Sequence, residues 1–335
     1  MEDAPVYTLL TREQVEELIH THYDLGRVVE YKKLSGGLAN SNYRVDTTTG
    51  SYLLKICDEK DRQSLQVQVA ALNAVRAVHF PTCLPHPLKG AEGYVLCQNN
   101  DQLRAIVYDF LRLAQGGPGT IEGVTERMMA QLGTAVATLH TLSPVDNLPP
   151  FPMGVAAIDP FLEEVKGTPF EHHEFVRYLR EQLNAFRGVI ADPTLPQGMM
   201  HGDIFPDNVM FDGEELVGIV DFEEVCHGPL LVDVGMTILG CCYPRDNKLD
   251  EGLMQAFVTA YDAKRPMSVQ EKAQLPQFIQ YAALTIAFWR FRQFNVRTQD
   301  ELRKDRHQEM VQRIAHITHT FLAAPPLLPA PTHLS

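Results

Sequence analysis

The stretch His201-Gly-Asp-Ile-Phe-Pro-Asp-Asn208 decides the fold that we expect for this chain. A short apolar segment, Met199-Met200, precedes it. Residues 209–220, with the turn signal Asp212-Gly213 in the middle, predict a hairpin that ends immediately before Asp221. A polar loop whose ends are fixed by strands is a typical position for functional side chains.

Three residues of this region are of the types that phosphoryl transfer from ATP requires. Asp203 can face an acceptor hydroxyl, and the oxygens of Asn208 and Asp221 are suitable ligands for Mg²⁺. Each of them, taken singly, could also be a turn residue that bonds its own backbone. Their order around the predicted hairpin favours phosphoryl transfer, and His201 fits a role in holding the shape of the loop.

The N-terminal part of the chain reads as an antiparallel sheet. Segments rich in Val, Ile, Leu and Tyr, separated by turn signals, predict five strands, at 28–34, 41–46, 52–56, Gly93–Cys97 and Leu103–Phe110. A capping box at Thr11-Arg-Glu-Gln14 predicts a first helix, and apolar periodicity predicts a second from about Arg62 to Val78.

The C-terminal part reads as mainly helical. Apolar residues spaced by three and four predict helices at 124–140, 174–190, 230–242, 250–262, 269–294 and 300–322. We expect a proline-rich loop around Pro144–Pro160, and Gly116-Gly-Pro-Gly119 indicates a lobe boundary near 111–119. The predicted organisation is an N-lobe over 1–111, a C-lobe over 112–322 and a disordered tail over 323–335.

The composition of the chain limits the kinds of partner that we expect it to bind. The 335 residues include 29 Lys and Arg against 42 Asp and Glu, a net charge of -13, which gives no electrostatic footprint for nucleic acid or for an anionic membrane. We find no signal peptide and no apolar run that would span a bilayer. Six scattered cysteines without a Cys-x-x-Cys pair suit reduced thiols. We therefore expect a cytoplasmic protein with a small-molecule partner; the sequence does not indicate its oligomeric state.

The motif His201-Gly-Asp-x-x-x-x-Asn208, followed by Ile-Val-Asp221-Phe, resembles the catalytic loop and metal motif of the aminoglycoside phosphotransferase and choline kinase superfamily. The run from Leu195 to Phe211, together with Leu216-Val-Gly-Ile-Val-Asp-Phe, looks most like the homoserine kinase branch. The resemblance implies a two-lobed, protein-kinase-like α+β fold, with a five-stranded antiparallel N-lobe, a mainly helical C-lobe and MgATP in the cleft between them.

The same resemblance implies roles for single residues. Asp203 would be the catalytic base, Asn208 and Asp221 would bind magnesium, and Lys55 on the third strand would bind the α and β phosphates. The family often pairs this lysine with a helix glutamate, but the helix here carries glutamines, including Gln68. Either another acid takes this role or a neutral amide holds Lys55.

The remaining predicted contacts concern nucleotide and acceptor. The glycine-rich loop between the first two strands would bring backbone N–H groups over the phosphates, and the fifth strand would meet adenine; these cofactor-binding candidates are Ser35, Gly36, Gly37, Asn42, Tyr108 and Phe110. The acceptor candidates are Glu223, which could face an ammonium group, and Trp289 and Arg290 on a C-lobe helix.

The expected activity is ATP-dependent phosphorylation of a small alcohol, with homoserine as the first choice. The alternatives of the same fold are choline, hydroxylysine, methylthioribose and aminoglycoside kinases. A pseudokinase is the main alternative of another class, and the complete set of Asp203, Asn208 and Asp221 argues against it. A metal hydrolase built on His201 lacks a second histidine cluster.

Overall fold

A computed structural model describes residues 8–34, 40–110, 123–243 and 247–323 of the protein. The strands in these ranges are β1 Val28–Lys33, β2 Ser41–Thr47, β3 Ser51–Ile56, β4 Leu96–Gln98, β5 Leu103–Asp109, β6 Gln197–Met200, β7 Val209–Asp212, β8 Glu215–Ile219 and β9 Cys226–Pro229. The α-helices are α1 Arg12–His22, α2 Arg62–Arg76, α3 Glu126–His140, α4 Val155–Glu164, α5 Glu174–Ile190, α6 Leu231–Cys241, α7 Glu251–Lys264, α8 Val269–Phe291 and α9 His307–Ala323.

The chain divides into two compact units. The sheet unit lies within 1–114, 145–147 and 217–223, and the helical unit lies within 115–144, 148–216 and 224–335. The antiparallel sheet of the first and the helices of the second confirm the predicted α+β class. The predicted boundary at 111–119 and the tail after Ala323 lie outside the described residues.

The sheet unit is a five-stranded antiparallel sheet in the order β1-β2-β3-β5-β4. One apolar face of the sheet packs with α1, whose capping box between Thr11 and Gln14 is present as predicted. Val15 and Ile19 of α1 are fully buried with Val45 and Leu54 of the sheet. This burial fixes β3, and with it the position of the one lysine on that strand.

The fourth strand begins three residues later than predicted and ends one residue later. The prediction was Gly93–Cys97, but β4 covers Leu96–Gln98 and pairs with β5 from Leu96 opposite Ala105. Gly93 has a φ of +110°, which is incompatible with an extended strand, so the chain is still turning at that residue. The prediction was wrong because an apolar segment does not show where its turn ends.

The helical unit is built from closely packed helix pairs. α3 packs on α7 where Gly133 meets the backbone of Phe257, and α6 packs on α8 where Gly235 meets Phe278. A Cβ atom at Gly133 would lie 2.3 Å from the Phe257 carbonyl oxygen, so this approach needs a glycine. β6 pairs with β9, and β7 with β8 in the predicted hairpin.

Three predictions for the C-terminal part were wrong: the loop around Pro144–Pro160, the end of the helix at 269–294 and the start of the helix at 300–322. The proline-rich segment contains helix α4, with Pro160 inside it, because Ile158 and Phe161 are buried and this packing outweighs the missing proline N–H. α8 ends at Phe291 and continues as a π-helical turn over Arg292–Arg297, and α9 begins only at His307.

Candidate active site

Lys55 lies on β3 with its side chain buried in the sheet unit. In the antiparallel register it is opposite Asn42 of β2 and Ile106 of β5. Its ammonium Nζ donates to Asp221 Oδ1 at 2.9 Å and forms an ion pair with Glu223 Oε1. A buried ammonium group needs compensating charge, and these two carboxylates supply it.

The two carboxylates also fix the protonation state of Lys55. Burial lowers the pKa of Lys55, but the charges of Asp221 and Glu223 raise it by more, and the resulting pKa lies well above its ordinary value. Lys55 is therefore an ammonium ion at neutral pH, with three N–H donors.

Glu223 is held by a second partner as well as by Lys55. Its side chain is only 7% exposed, and Asn40 Nδ2 donates to both of its carboxylate oxygens, at 2.7 and 2.8 Å. On α2, by contrast, Gln68 donates from Nε2 to the hydroxyl of Tyr108 at 3.1 Å. The sequence leaves two possible partners for Lys55, another acid or a neutral amide. In the structure the partner is another acid, Glu223, and not a helix glutamate.

Asp221 and Glu223 are fixed by the residue between them. Phe222 is fully buried and its ring meets Phe80 edge-on, with 6.0 Å between the ring centroids. Asp221 itself has a φ of +67°, in the left-handed region that non-glycine residues seldom adopt. The buried ring holds the chain in this conformation, which is often found at functional sites.

Asp203 and Asn208 form a second cluster, inside the helical unit. Asn208 Nδ2 donates to the backbone oxygen and to Oδ2 of Asp203, both at 2.9 Å. A short 3₁₀ turn over Pro206–Asn208, in which Asn208 N–H donates to Phe205 O, brings the amide back towards Asp203. His201 is fully buried and its Nδ1 accepts the Asp203 N–H, which agrees with a role in shaping the loop.

A fully buried carboxylate, Asp233 of α6, braces this loop. It accepts the backbone N–H groups of His201 at 2.6 Å and Gly202 at 2.8 Å. His140 of α3 lies between Asp233, 3.2 Å from its Oδ2, and the hydroxyl of Tyr261, 2.7 Å away. His140 and Tyr261 are not among the predicted residues, since each is one polar residue on an otherwise ordinary amphipathic helix.

Most of the predicted nucleotide contacts are polar or aromatic groups of the sheet unit. Ser35, Gly36 and Gly37 lie outside the described residues. Asn40 Oδ1, Ser41 Oγ and Asn42 Oδ1 are buried atoms without a hydrogen-bond partner in the part of the chain that the structure describes. Tyr108 is buried, and the Phe110 ring lies 5.2 Å from the guanidinium carbon of Arg44.

The predicted acceptor contacts are divided between the two units. Glu223 belongs to the cluster around Lys55 in the sheet unit, whereas Trp289 and Arg290 lie on α8 in the helical unit. Arg290 pairs with Glu309 at 2.7 Å and donates to Arg306 O, so its charge joins α8 to α9. Trp289 is 37% exposed and packs edge-on against Phe294.

Asn208 of the helical unit and Asp221 of the sheet unit each carry an oxygen of the kind that would suit the magnesium ion implied by the resemblance. The two bonds from Asn208 Nδ2 leave Oδ1 on the opposite side of the amide, and no described residue donates to it. The Asp221 side chain keeps 39% of its surface exposed. Amide and carboxylate oxygens are hard ligands of the kind that Mg²⁺ selects.

The kinase-like fold and a family match together define the class of the protein, a small-molecule phosphotransferase. Residues 30–267 match the sequence model of the phosphotransferase enzyme family, known as APH, and the chain belongs to this family. Kinases of this class use ATP as the phosphoryl donor.

Similar proteins cover nearly the whole chain. It is 29% identical over 292 residues to a homoserine kinase of Methylobacillus flagellatus, with 85% of each chain covered. It is 30% identical over 306 residues to a homoserine kinase of Nitrobacter hamburgensis, with 86% of each covered.

Solved structures of low identity share the fold. An amicoumacin kinase superposes with a TM-score of 0.71 at 15% identity over 96% of each chain. A choline/ethanolamine kinase family protein of Mesorhizobium loti superposes with a TM-score of 0.58 at 22% identity, over 89% of this chain and 90% of that one. These likenesses confirm the kinase-like fold. Separately, none of the helices in the described ranges has the length and apolarity that crossing a bilayer would require.

Proposed function

We propose that the protein is an ATP-dependent homoserine kinase, which transfers the γ-phosphoryl group of ATP to the side-chain hydroxyl of homoserine. The observation that carries this proposal is the similarity to curated homoserine kinases, at 26–30% identity over most of both chains. The arrangement of Asp203 with Asn208, and of Lys55 with Asp221, supports it, because each group suits one task of phosphoryl transfer.

In this proposal Asp203 orients the attacking hydroxyl. The hydroxyl oxygen attacks the γ-phosphorus, the bond from that phosphorus to the β–γ bridging oxygen breaks, and ADP leaves with the bonding electron pair. The hydroxyl proton passes to the carboxylate of Asp203, which Asn208 orients through its hydrogen bond to Oδ2. Alignment contributes more than proton removal, because the transition state is loose.

Lys55 acts on the donor. Its ammonium group has donors for the α and β phosphates, and its strand position holds it in place. Asn208 and Asp221 would hold Mg²⁺, which when bound neutralises charge on the β and γ phosphates. Asn208 would then serve twice: Nδ2 orients Asp203 and Oδ1 faces the cation.

The test is an acceptor comparison with purified protein and MgATP. ADP release is measured with L-homoserine, choline, ethanolamine, hydroxylysine, methylthioribose and an aminoglycoside, and the product is identified by ³¹P NMR. L-2-aminobutyrate is the matched control, because it lacks only the hydroxyl of homoserine.

We expect O-phosphohomoserine and a kcat/KM for homoserine at least about tenfold above the other acceptors, a difference of about 1.4 kcal/mol in transition-state binding. A higher kcat/KM with another alcohol would overturn the assignment of homoserine as the acceptor, but it would leave the proposed phosphoryl transfer from ATP in place. MgATP binding without ADP release on any acceptor would favour the pseudokinase instead.

A further inference from the structure

Both carboxylates that pair with Lys55 come from one three-residue segment of the chain. Asp221 and Glu223 flank the buried Phe222, and both carboxylates reach Lys55 Nζ. The two acids differ in exposure: the Asp221 side chain is 39% exposed and that of Glu223 only 7%. Asp221 is therefore the one accessible to a ligand from outside, and Glu223 the one enclosed with the lysine.

The enclosed acid is held in a fixed orientation. Asn40 Nδ2 donates to both oxygens of Glu223, and Asn40 is itself 7% exposed. A carboxylate held by a buried amide on one side and an ammonium on the other has little rotational freedom. Asn40 also stands directly after the glycine-rich segment 35–39 in the sequence, so one residue connects that segment with the lysine pair.

Helix α2 does not take part in this arrangement. Its inward polar residue, Gln68, is 3% exposed and donates to the hydroxyl of Tyr108 rather than to an acid. The described residues of α2 in the first two turns include no carboxylate. The counter-charges of Lys55 thus come from Asp221 and Glu223 and not from a carboxylate of this helix.

We propose that Glu223, oriented by Asn40, is the positioning residue that holds Lys55 ready for the nucleotide phosphates. The inference rests on the proposed function, in which Lys55 binds the donor phosphates. Of the three N–H donors of Lys55, Glu223 and Asp221 each engage one, and in this proposal the pairing with the enclosed Glu223 is the one that persists when nucleotide binds. Glu223 acts through Lys55 and does not touch the reacting atoms.

The test separates phosphate binding from the rest of the nucleotide. Affinities for AMP-PNP with Mg²⁺ and for adenosine are measured by calorimetry in Glu223→Gln, Asn40→Ala and the wild type. Glu30→Gln, on exposed β1 of the same sheet, is the matched control for loss of a carboxylate. We expect Glu223→Gln to weaken AMP-PNP binding by about 10- to 100-fold, as for other residues that orient a binding group, and to leave adenosine affinity unchanged.

A double-mutant cycle tests whether Glu223 acts through the lysine. Lys55→Met weakens AMP-PNP binding, and in that background Glu223→Gln should cause no further loss. Equal loss in both backgrounds, or equal loss of AMP-PNP and adenosine affinity, would overturn the proposal. A change confined to the KM for the acceptor would also overturn it, because that result would favour the hypothesis that Glu223 contacts the acceptor.

These readouts do not depend on the acceptor. If the wild type binds AMP-PNP but does not phosphorylate homoserine, the proposed function fails while the role of Glu223 is still decided by the affinities. Thermal unfolding of each variant establishes that the sheet unit is intact, and Asn40→Ala, which keeps the acid but not its orientation, should show the same selective loss to a smaller degree.

Discussion

Asn208 Nδ2 donates to two oxygens of Asp203, the backbone carbonyl and the carboxylate Oδ2, each at 2.9 Å. The five-residue spacing of the motif is thereby explained, because the turn between them returns the amide to the residue where the loop began. One carboxylate oxygen of Asp203 is fixed by this contact, and the orientation of the other follows. A base that is oriented before the substrate arrives loses less entropy in the transition state.

Replacement of Asp203 by Asn should therefore remove turnover without removing nucleotide binding. We expect kcat to fall by about 10²- to 10⁴-fold, the usual contribution of a positioned acid or base, with AMP-PNP affinity unchanged. Asp207→Asn, at an exposed position of the same loop, is the control and should keep its activity. Near-normal kcat in Asp203→Asn would exclude this residue as the base.

Asp221 should be the residue on which magnesium dependence rests. In Asp221→Asn we expect the gain in AMP-PNP affinity on adding Mg²⁺ to be lost, a change of about tenfold or more, because an amide oxygen is a weaker ligand than a carboxylate. Calorimetry with Mg²⁺ and with EDTA measures this gain. Asp212→Asn, at the exposed last residue of β7, should retain it, and a full Mg²⁺ effect in Asp221→Asn would contradict the assignment.

The sequence was sufficient for the parts of the site that local order determines. The strand that carries Lys55 and the loop around Asp203 were predictable, since strand alternation, turn residues and short spacing are properties of neighbouring residues. The helix with Pro160 was not, because its stability comes from burial of Phe161 by residues distant in the sequence.

Glu223 shows the limit more sharply. It was read as a candidate for an acceptor ammonium, and its contact with Lys55 joins residues far apart in sequence. Which of several acids reaches a lysine depends on the packed structure, and here the burial of Phe222 decides it. The absence of an acid on α2 was visible in the sequence, but the replacement was not.

The buried carboxylate of Asp233 should make stability depend on pH in the acid range. Burial raises the pKa of Asp233. The hydrogen bonds from His140 and the Gly202 N–H, together with the charges of His140 and His201, lower the pKa by more than burial raises it. The resulting pKa of Asp233 is below its ordinary value. A depressed folded-state pKa contributes stability above the unfolded pKa, near about 3.9, and this contribution is lost as pH falls through the folded pKa.

Asp233→Asn should be less stable than the wild type at pH 7, by about 1–3 kcal/mol for each backbone N–H that loses its acceptor. The difference should persist down to about pH 5, begin to shrink near the unfolded pKa of about 3.9, and continue to shrink as the pH falls through the lower folded pKa, where the native wild-type acid becomes protonated. Urea unfolding as a function of pH measures it, and Asp24→Asn, with a 78% exposed side chain, is the control. A difference that does not change below pH 4 would show that the charge of Asp233 is not what braces the loop.

Two helical glycines of the helical unit provide a matched test of packing. A Cβ at Gly133 of α3 would lie 2.3 Å from the Phe257 carbonyl oxygen and 3.2 Å from the Tyr261 N of α7, and these backbone atoms cannot move aside as a flexible side chain would. At Gly188, an exposed position of α5, a Cβ would meet nothing within 4 Å. The same substitution should therefore have opposite effects at the two positions.

Gly133→Ala should destabilise the protein by about 1–3 kcal/mol, the usual cost of forcing extra volume into a packed core. Gly188→Ala should stabilise it by about 0.5–1 kcal/mol, because alanine loses less backbone entropy than glycine in a helix. Urea midpoints of the two variants and the wild type give the order directly. Helix α3 also carries His140, which contacts Asp233. Gly133→Ala should therefore displace His140 from Asp233 and lower kcat as well. Gly188→Ala should leave kcat unchanged. A Gly133→Ala protein with wild-type stability would mean that α3 and α7 are farther apart than this structure has them.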